Sequence, residues 1–159
     1  MSEFPTSASV RASPAYHSAD SDPMQQPEYG RLLNMLLEAE RAGAKLLAAY
    51  VNELPPKSSD VAILSAVQRD EARNCAVLIH LLLDAGIAPS MAVGEFYGNG
   101  LTIHGWRERL EFLNRGQAWV AKRIAAALPR ISQRGARTVL QSMHESHLAN
   151  IARCDQLLT

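Results

Sequence analysis

Two glutamates and two histidines, Glu40, Glu71, His144 and His147, stand where apolar residues are due. Apolar side chains recur every three or four residues along four stretches of the chain, the period of a helix with one buried face. Extending each series by its own period carries polar residues inside. The series 33, 36/37, 40, 44, 47 puts Glu40 on the buried face, and 64, 67, 71, 74/75, 78 puts Glu71 and Asn74 there. The series 110, 113, 117, 120 does the same for Gln117, and 140, 143/144, 147, 151 for His147, with His144 at the edge of its seam. Each lies within a turn of the middle of its stretch. Four apolar seams therefore break at one depth.

A buried carboxylate is costly unless it is hydrogen-bonded, paired or bound to a metal. No Arg or Lys falls on the inner faces at that depth. The partners left for Glu40 and Glu71 are His144, His147, Gln117, Asn74 or a metal ion. Glu supplies hard oxygen and His borderline nitrogen, a set that suits iron, manganese or zinc better than copper(I). The candidate ligands are Glu40, Glu71, His147 and His144. Asn74 and Gln117, neutral and weak as ligands, suit hydrogen bonding around them. The same residues without a metal make a hydrogen-bonded layer that fixes helix register. Residue types and spacing leave both readings open, and they assign no catalytic residue or substrate.

Four helices are expected to position this layer. The first spans about 28–54 and stops at Pro55-Pro56; the second follows the cap candidates Ser58-Ser59 and ends near Asp84-Ala85-Gly86. The third runs from near Gly105 to Leu128-Pro129, and the fourth from about Ser132 to Leu158. Short links within the first and last pairs make antiparallel neighbours. The link between the pairs, Gly86 to His104, is long enough to run the length of a bundle. The expected fold is all-α: a four-helix bundle of two antiparallel hairpins joined by a long crossover. Glu95 or His104, near one end of the bundle, would belong to any lid formed by that crossover.

The four-helix pattern, the crossover, Glu40 and the run Asp70-Glu71-Ala72-Arg73-Asn74 resemble the ferritin-like superfamily, the rubrerythrin branch in particular. Asp70-Glu71-Ala72-Arg73, Asn114-Arg115-Gly116-Gln117 and Asn150-Ile151-Ala152-Arg153 also resemble a family of uncharacterised bacterial ferritin-like proteins. The resemblance implies a metal site in the bundle core, with Glu on helices one and three and Glu-x-x-His on helices two and four. Glu40 matches the first Glu, Glu71 the second and His147 the last His. Asn74, Gln117 and His144 replace a His, a Glu and a Glu. These departures imply at most one well-occupied metal in place of a symmetric iron pair. The expected function is metal binding at a variant core site, with an oxidoreductase role open to it. The alternative is a metal-free scaffold or interaction subunit.

Length and composition bound the rest. The chain has 159 residues, 47% of them apolar, and balances 16 Lys+Arg against 16 Asp+Glu. That length suits one domain with a real core. Zero net charge argues against a nucleic-acid binder. No apolar run approaches the roughly 18 residues that span a membrane, and the first residues do not read as a secretory signal. Residues 1–27, with four prolines, many Ser and Ala and no apolar period, are expected to form a disordered tail, and 28–159 the bundle. Two cysteines, Cys75 and Cys154, are expected roughly 20 Å apart as reduced core thiols of a cytoplasmic protein. The apolar content suits side-by-side pairing as a homodimer. Bland roles are expected for the remainder: His80 as a lone helical His, Glu111 in a surface pair with Arg107 or Arg115, and Trp106, Trp119, Phe96 and Tyr97 in packing. Gly43 and Gly116 mark close helix approaches.

Overall fold

The structure is a computed structural model that describes residues 22–159. The tail expected over 1–27 lies outside the described residues up to position 21. Five α-helices follow: α1 (Gln26–Glu53), α2 (Ser59–Asp84), α3 (Phe96–Leu101), α4 (Trp106–Ala127) and α5 (Arg134–Asp155). No strand occurs among the described residues.

Local chemistry explains the helix ends. Pro27 sits in the first turn of α1, where its missing N–H costs nothing. Leu54, forced extended by the proline that follows it, ends that helix. Ser58 caps α2 by accepting a hydrogen bond from the Asp60 N–H at 3.3 Å. At the far end Gly86 takes a positive φ of 70°, so that the Gly86 and Ile87 N–H groups reach back to the Leu83 and Leu82 carbonyls. Before α1, the Met24 N–H donates to the Arg130 carbonyl at 2.7 Å, and the Arg130 guanidinium grips the Glu28 carboxylate and the Asp22 carbonyl. The helix thus starts two residues before the expected boundary, and residues 22–25 are tied to the turn after α4.

α1 and α2 run antiparallel: the Gln26 side chain meets the Ala85 carbonyl at one end, and Asn74 meets Glu40 near the middle. α4 and α5 run antiparallel as well, with Asn114 against Asp155 and Gln117 against His147. α2 packs on α5, whereas α1 and α4 touch sparingly.

The connection from α2 to α4 lies along α1. The Ser90 N–H donates to Asn34 Oδ1 at 2.7 Å, the Ser90 hydroxyl to Glu38 Oε1 at 2.5 Å, and Arg41 Nη1 to the carbonyls of Ser90 and Ala92 at 3.1 and 2.5 Å. Asn34, Glu38 and Arg41 fall on the face that periodicity makes wet, but they hold this strap. It then forms α3, a short helix that periodicity does not reveal, where the Tyr50 hydroxyl donates to the Gly100 carbonyl at 2.7 Å.

The apolar interior is in two parts. One gathers Leu33, Leu36, Leu37, Leu78, Leu82, Val120, Ile124, Leu140 and Met143. The other gathers Leu46, Leu47, Tyr50, Leu64, Val67, Leu110, Leu113 and Cys154. On every long helix buried polar residues lie between the two parts: Glu40, Glu71 with Asn74, Gln117, and His147 with Asn150. A polar stratum divides the core.

Candidate functional site

Each member of the stratum is delivered by a different turn of a long helix, so its position is as rigid as the bundle. Glu40 is 1% exposed and His147 1%. His147 Nε2 lies 2.6 Å from Glu40 Oε1, and Asn74 Nδ2 donates to Glu40 Oε2 at 3.1 Å. His147 Nδ1 lies 2.5 Å from Gln117 Oε1, and Gln117 Nε2 donates to Glu71 Oε1. The result is one chain of hydrogen bonds, Asn74–Glu40–His147–Gln117–Glu71, that touches all four long helices.

The chain has a direction. The Gln117 amide donates to Glu71 through nitrogen and accepts through oxygen, so His147 Nδ1 carries a hydrogen. A second proton lies between His147 Nε2 and Glu40 Oε1, since a bond at 2.6 Å needs a donor on one side. Both oxygens of Glu40 and both ring nitrogens of His147 are then engaged.

Glu71 is the exception. Its Oε2 is buried and has no hydrogen-bond partner. Burial, and next the charge of Glu40, hold its carboxyl well above the usual carboxylate range, against the opposing hydrogen bond from Gln117. Gly43 makes the room: a Cβ there would fall on Glu71 Oε2. The close approach expected at Gly43 is thus a helix backbone against a carboxyl group. At Gly116 the neighbour is the Phe96 ring of α3.

Where α1 and α4 part, a pocket of about 480 Å³ runs beneath the strap and α3 down to this stratum. Glu40, Glu71, Gln117 and His147 line its floor, and its walls are mainly apolar. Phe96 and Phe112 stack at 4.3 Å on one side. Trp119, expected as a packing residue, is 40% exposed and lines the pocket near Arg115, Glu38 and Glu95. Sequence periodicity gives no sign of this cavity, which arises from the gap between two helices distant in sequence.

The expected residues are brought together with one exception. Glu40, Glu71, Asn74, Gln117 and His147 share one network. His144 stays at the edge, half-buried, with Nδ1 unpartnered and no bond to the layer. Asn150, which the expected series passes over in favour of 151, is buried here; it accepts from Arg153 on Oδ1 at 2.9 Å while its buried Nδ2 has no partner. Glu111 pairs with Arg107 at 3.1 Å, a surface ion pair as its spacing suggests. Cys75 and Cys154 are free, and burial pushes each thiol up to about 11, so neither is a ready nucleophile at neutral pH.

A two-iron centre, which the ferritin-like resemblance implies, does not fit these residues. Three of its six ligand positions carry other side chains, and two of those, Asn74 and Gln117, spend their N–H groups on the very carboxylates that would ligate. Among the described residues, no group of three or more His, Cys, Asp or Glu converges closely enough to hold an ion.

No curated protein and no solved structure matches this chain. A family model described as Domain of unknown function (DUF6306) matches residues 28–156, a stretch that contains every member of the polar stratum. With more than half of its length matched, the chain belongs to the DUF6306 family.

Proposed function

We propose that this chain is a ferritin-like bundle whose core polar layer serves as the floor of a small-molecule pocket, making it a ligand-binding protein. One observation carries the reading: Glu71 Oε2 is buried and unpartnered beside a pocket of about 480 Å³, while Glu40 and His147 have every polar atom engaged. An apolar cavity with a few convergent polar groups, one of them a perturbed carboxyl, is the usual form of a ligand site. The antiparallel pairs α1–α2 and α4–α5 and the long connection between them support the ferritin-like assignment. No helix among the described residues is long and apolar enough to cross a membrane.

A second reading, one metal ion held by Glu40, Glu71 and His147, draws on the same free oxygen, and it requires these three side chains to leave their present hydrogen bonds and close on the ion. An ion there must displace the proton between His147 and Glu40, so its affinity falls as pH drops. The two readings separate on elemental analysis of anaerobically purified protein, with melting under added iron(II), manganese and zinc for wild type and His147→Ala. The pocket reading expects no stoichiometric metal and no rise in Tm with any ion. One metal per chain and a concentration-dependent rise that His147→Ala abolishes would replace it with the single-ion site. A ligand pocket also requires that Ala39→Phe, which fills the cavity from α1, remove binding of any fragment detected by NMR. Absence of both metal and fragment binding would leave a scaffold or interaction subunit.

A further inference from the structure

We infer that the pocket takes a small organic cation, an ammonium head on an apolar body, with the head at Glu71 Oε2 and the body along Phe96, Phe112 and Trp119; this rests on the pocket reading above. The free oxygen is the first ground. Glu71 is 3% exposed, its Oε1 is held by Gln117, and its Oε2 has no partner in the protein. An ammonium N–H placed there takes the position of the carboxyl proton that burial favours, which leaves to solvent as the ligand arrives, and makes a charge-assisted bond to the resulting carboxylate.

The charge of the lining is the second ground. Four carboxyl groups, Glu38, Glu40, Glu71 and Glu95, line the pocket, against the one guanidinium of Arg115 and the imidazole of His147. Two of them are committed: Glu40 to His147 and Asn74, and Glu38 to the Ser90 hydroxyl. An anionic ligand would meet this field with its charge reversed. A neutral one could hydrogen-bond Glu71 but would leave the net negative charge of the lining uncompensated.

The walls are the third ground. The stacked rings of Phe96 and Phe112 and the exposed ring of Trp119 offer apolar area next to cation-binding faces. Such faces already take guanidinium groups here, Arg115 over Phe112 at 5.8 Å and Arg123 over Trp119 at 5.0 Å. A divalent metal would use the floor alone and leave these walls idle. An arylalkylammonium uses both.

The test is calorimetric titration of the full chain with 2-phenylethylammonium and with 2-phenylethanol, which has the same shape without the charge. Shifts of the Gly43 and Gly116 amides in NMR spectra locate the binding. The ammonium is expected to bind about tenfold more tightly than the alcohol or better. In Glu71→Gln, whose fold is checked by its melting curve, that advantage is expected to vanish while alcohol binding persists. Equal affinities in wild type, or an advantage that survives Glu71→Gln, would overturn the cation assignment and leave the pocket standing. Failure of both probes to bind would overturn the pocket reading and the inference together.

Discussion

Glu71 concentrates the tension in this molecule. Its side chain could have been another Leu in the seam, and a carboxyl in that position costs desolvation that a single hydrogen bond from Gln117 does not offset. Burial, and next the charge of Glu40, shift the balance in the fold toward the protonated form. In the unfolded chain the same carboxyl ionises near pH 4.3, its value in model peptides. Above that pH the folded protein binds one more proton than the unfolded chain, so this group's contribution to stability is full below pH 4.3 and declines as pH rises through the raised folded value. Glu71→Gln removes the titration and keeps the shape. Relative to wild type it is expected to melt alike near pH 4 and, if the folded carboxyl stays protonated to pH 7, roughly 7–15 °C higher there. Equal melting temperatures at both pH values would show that Glu71 is ionised in the fold.

Helix by helix, the sequence is unevenly legible. Glu40, Glu71, Asn74, Gln117 and His147 were readable because each sits on a long helix whose period forces it inward, and a helix offers few other ways to turn. The strap was not. Asn34, Glu38 and Arg41 are polar residues on a polar face, and nothing local distinguishes a side chain that meets solvent from one that binds a distant backbone carbonyl. α3 was hidden too, because six residues with Gly98 and Gly100 carry no period and weak helix propensity. Arg41 is the strap's principal fastener, with its guanidinium on the Ser90 and Ala92 carbonyls. Hydrogen bonds to a charged group contribute about 1.5–3 kcal/mol. Arg41→Ala is therefore expected to speed amide exchange and proteolytic cutting over residues 88–95 by roughly tenfold or more. Unchanged protection there would mean that the Asn34 and Glu38 bonds suffice.

The molecule as a whole is two apolar cores separated by a polar stratum that opens on one side into a pocket. The stratum was visible in the sequence as four interrupted seams, but its wiring was not. Which nitrogen of His147 faces which neighbour, and which carboxyl oxygen is left over, depends on how two helix pairs are set against each other, and periodicity within one helix cannot specify that. The same holds for the gap between α1 and α4. A helical bundle with a hydrogen-bonded floor differs from a metal-bearing one in the chemical state of Glu71. A ligand of a metal ion must be a carboxylate, whereas burial of Glu71 beside Glu40 without a cation favours the neutral acid. The infrared spectrum of the purified protein at pH 7 distinguishes them, with Glu71→Gln as the difference reference. The expected result is a protonated carboxyl C=O stretch in wild type that Glu71→Gln removes. Absence of that band, with a carboxylate band lost in its place, would contradict the hydrogen-bonded floor and point to a cation already held there.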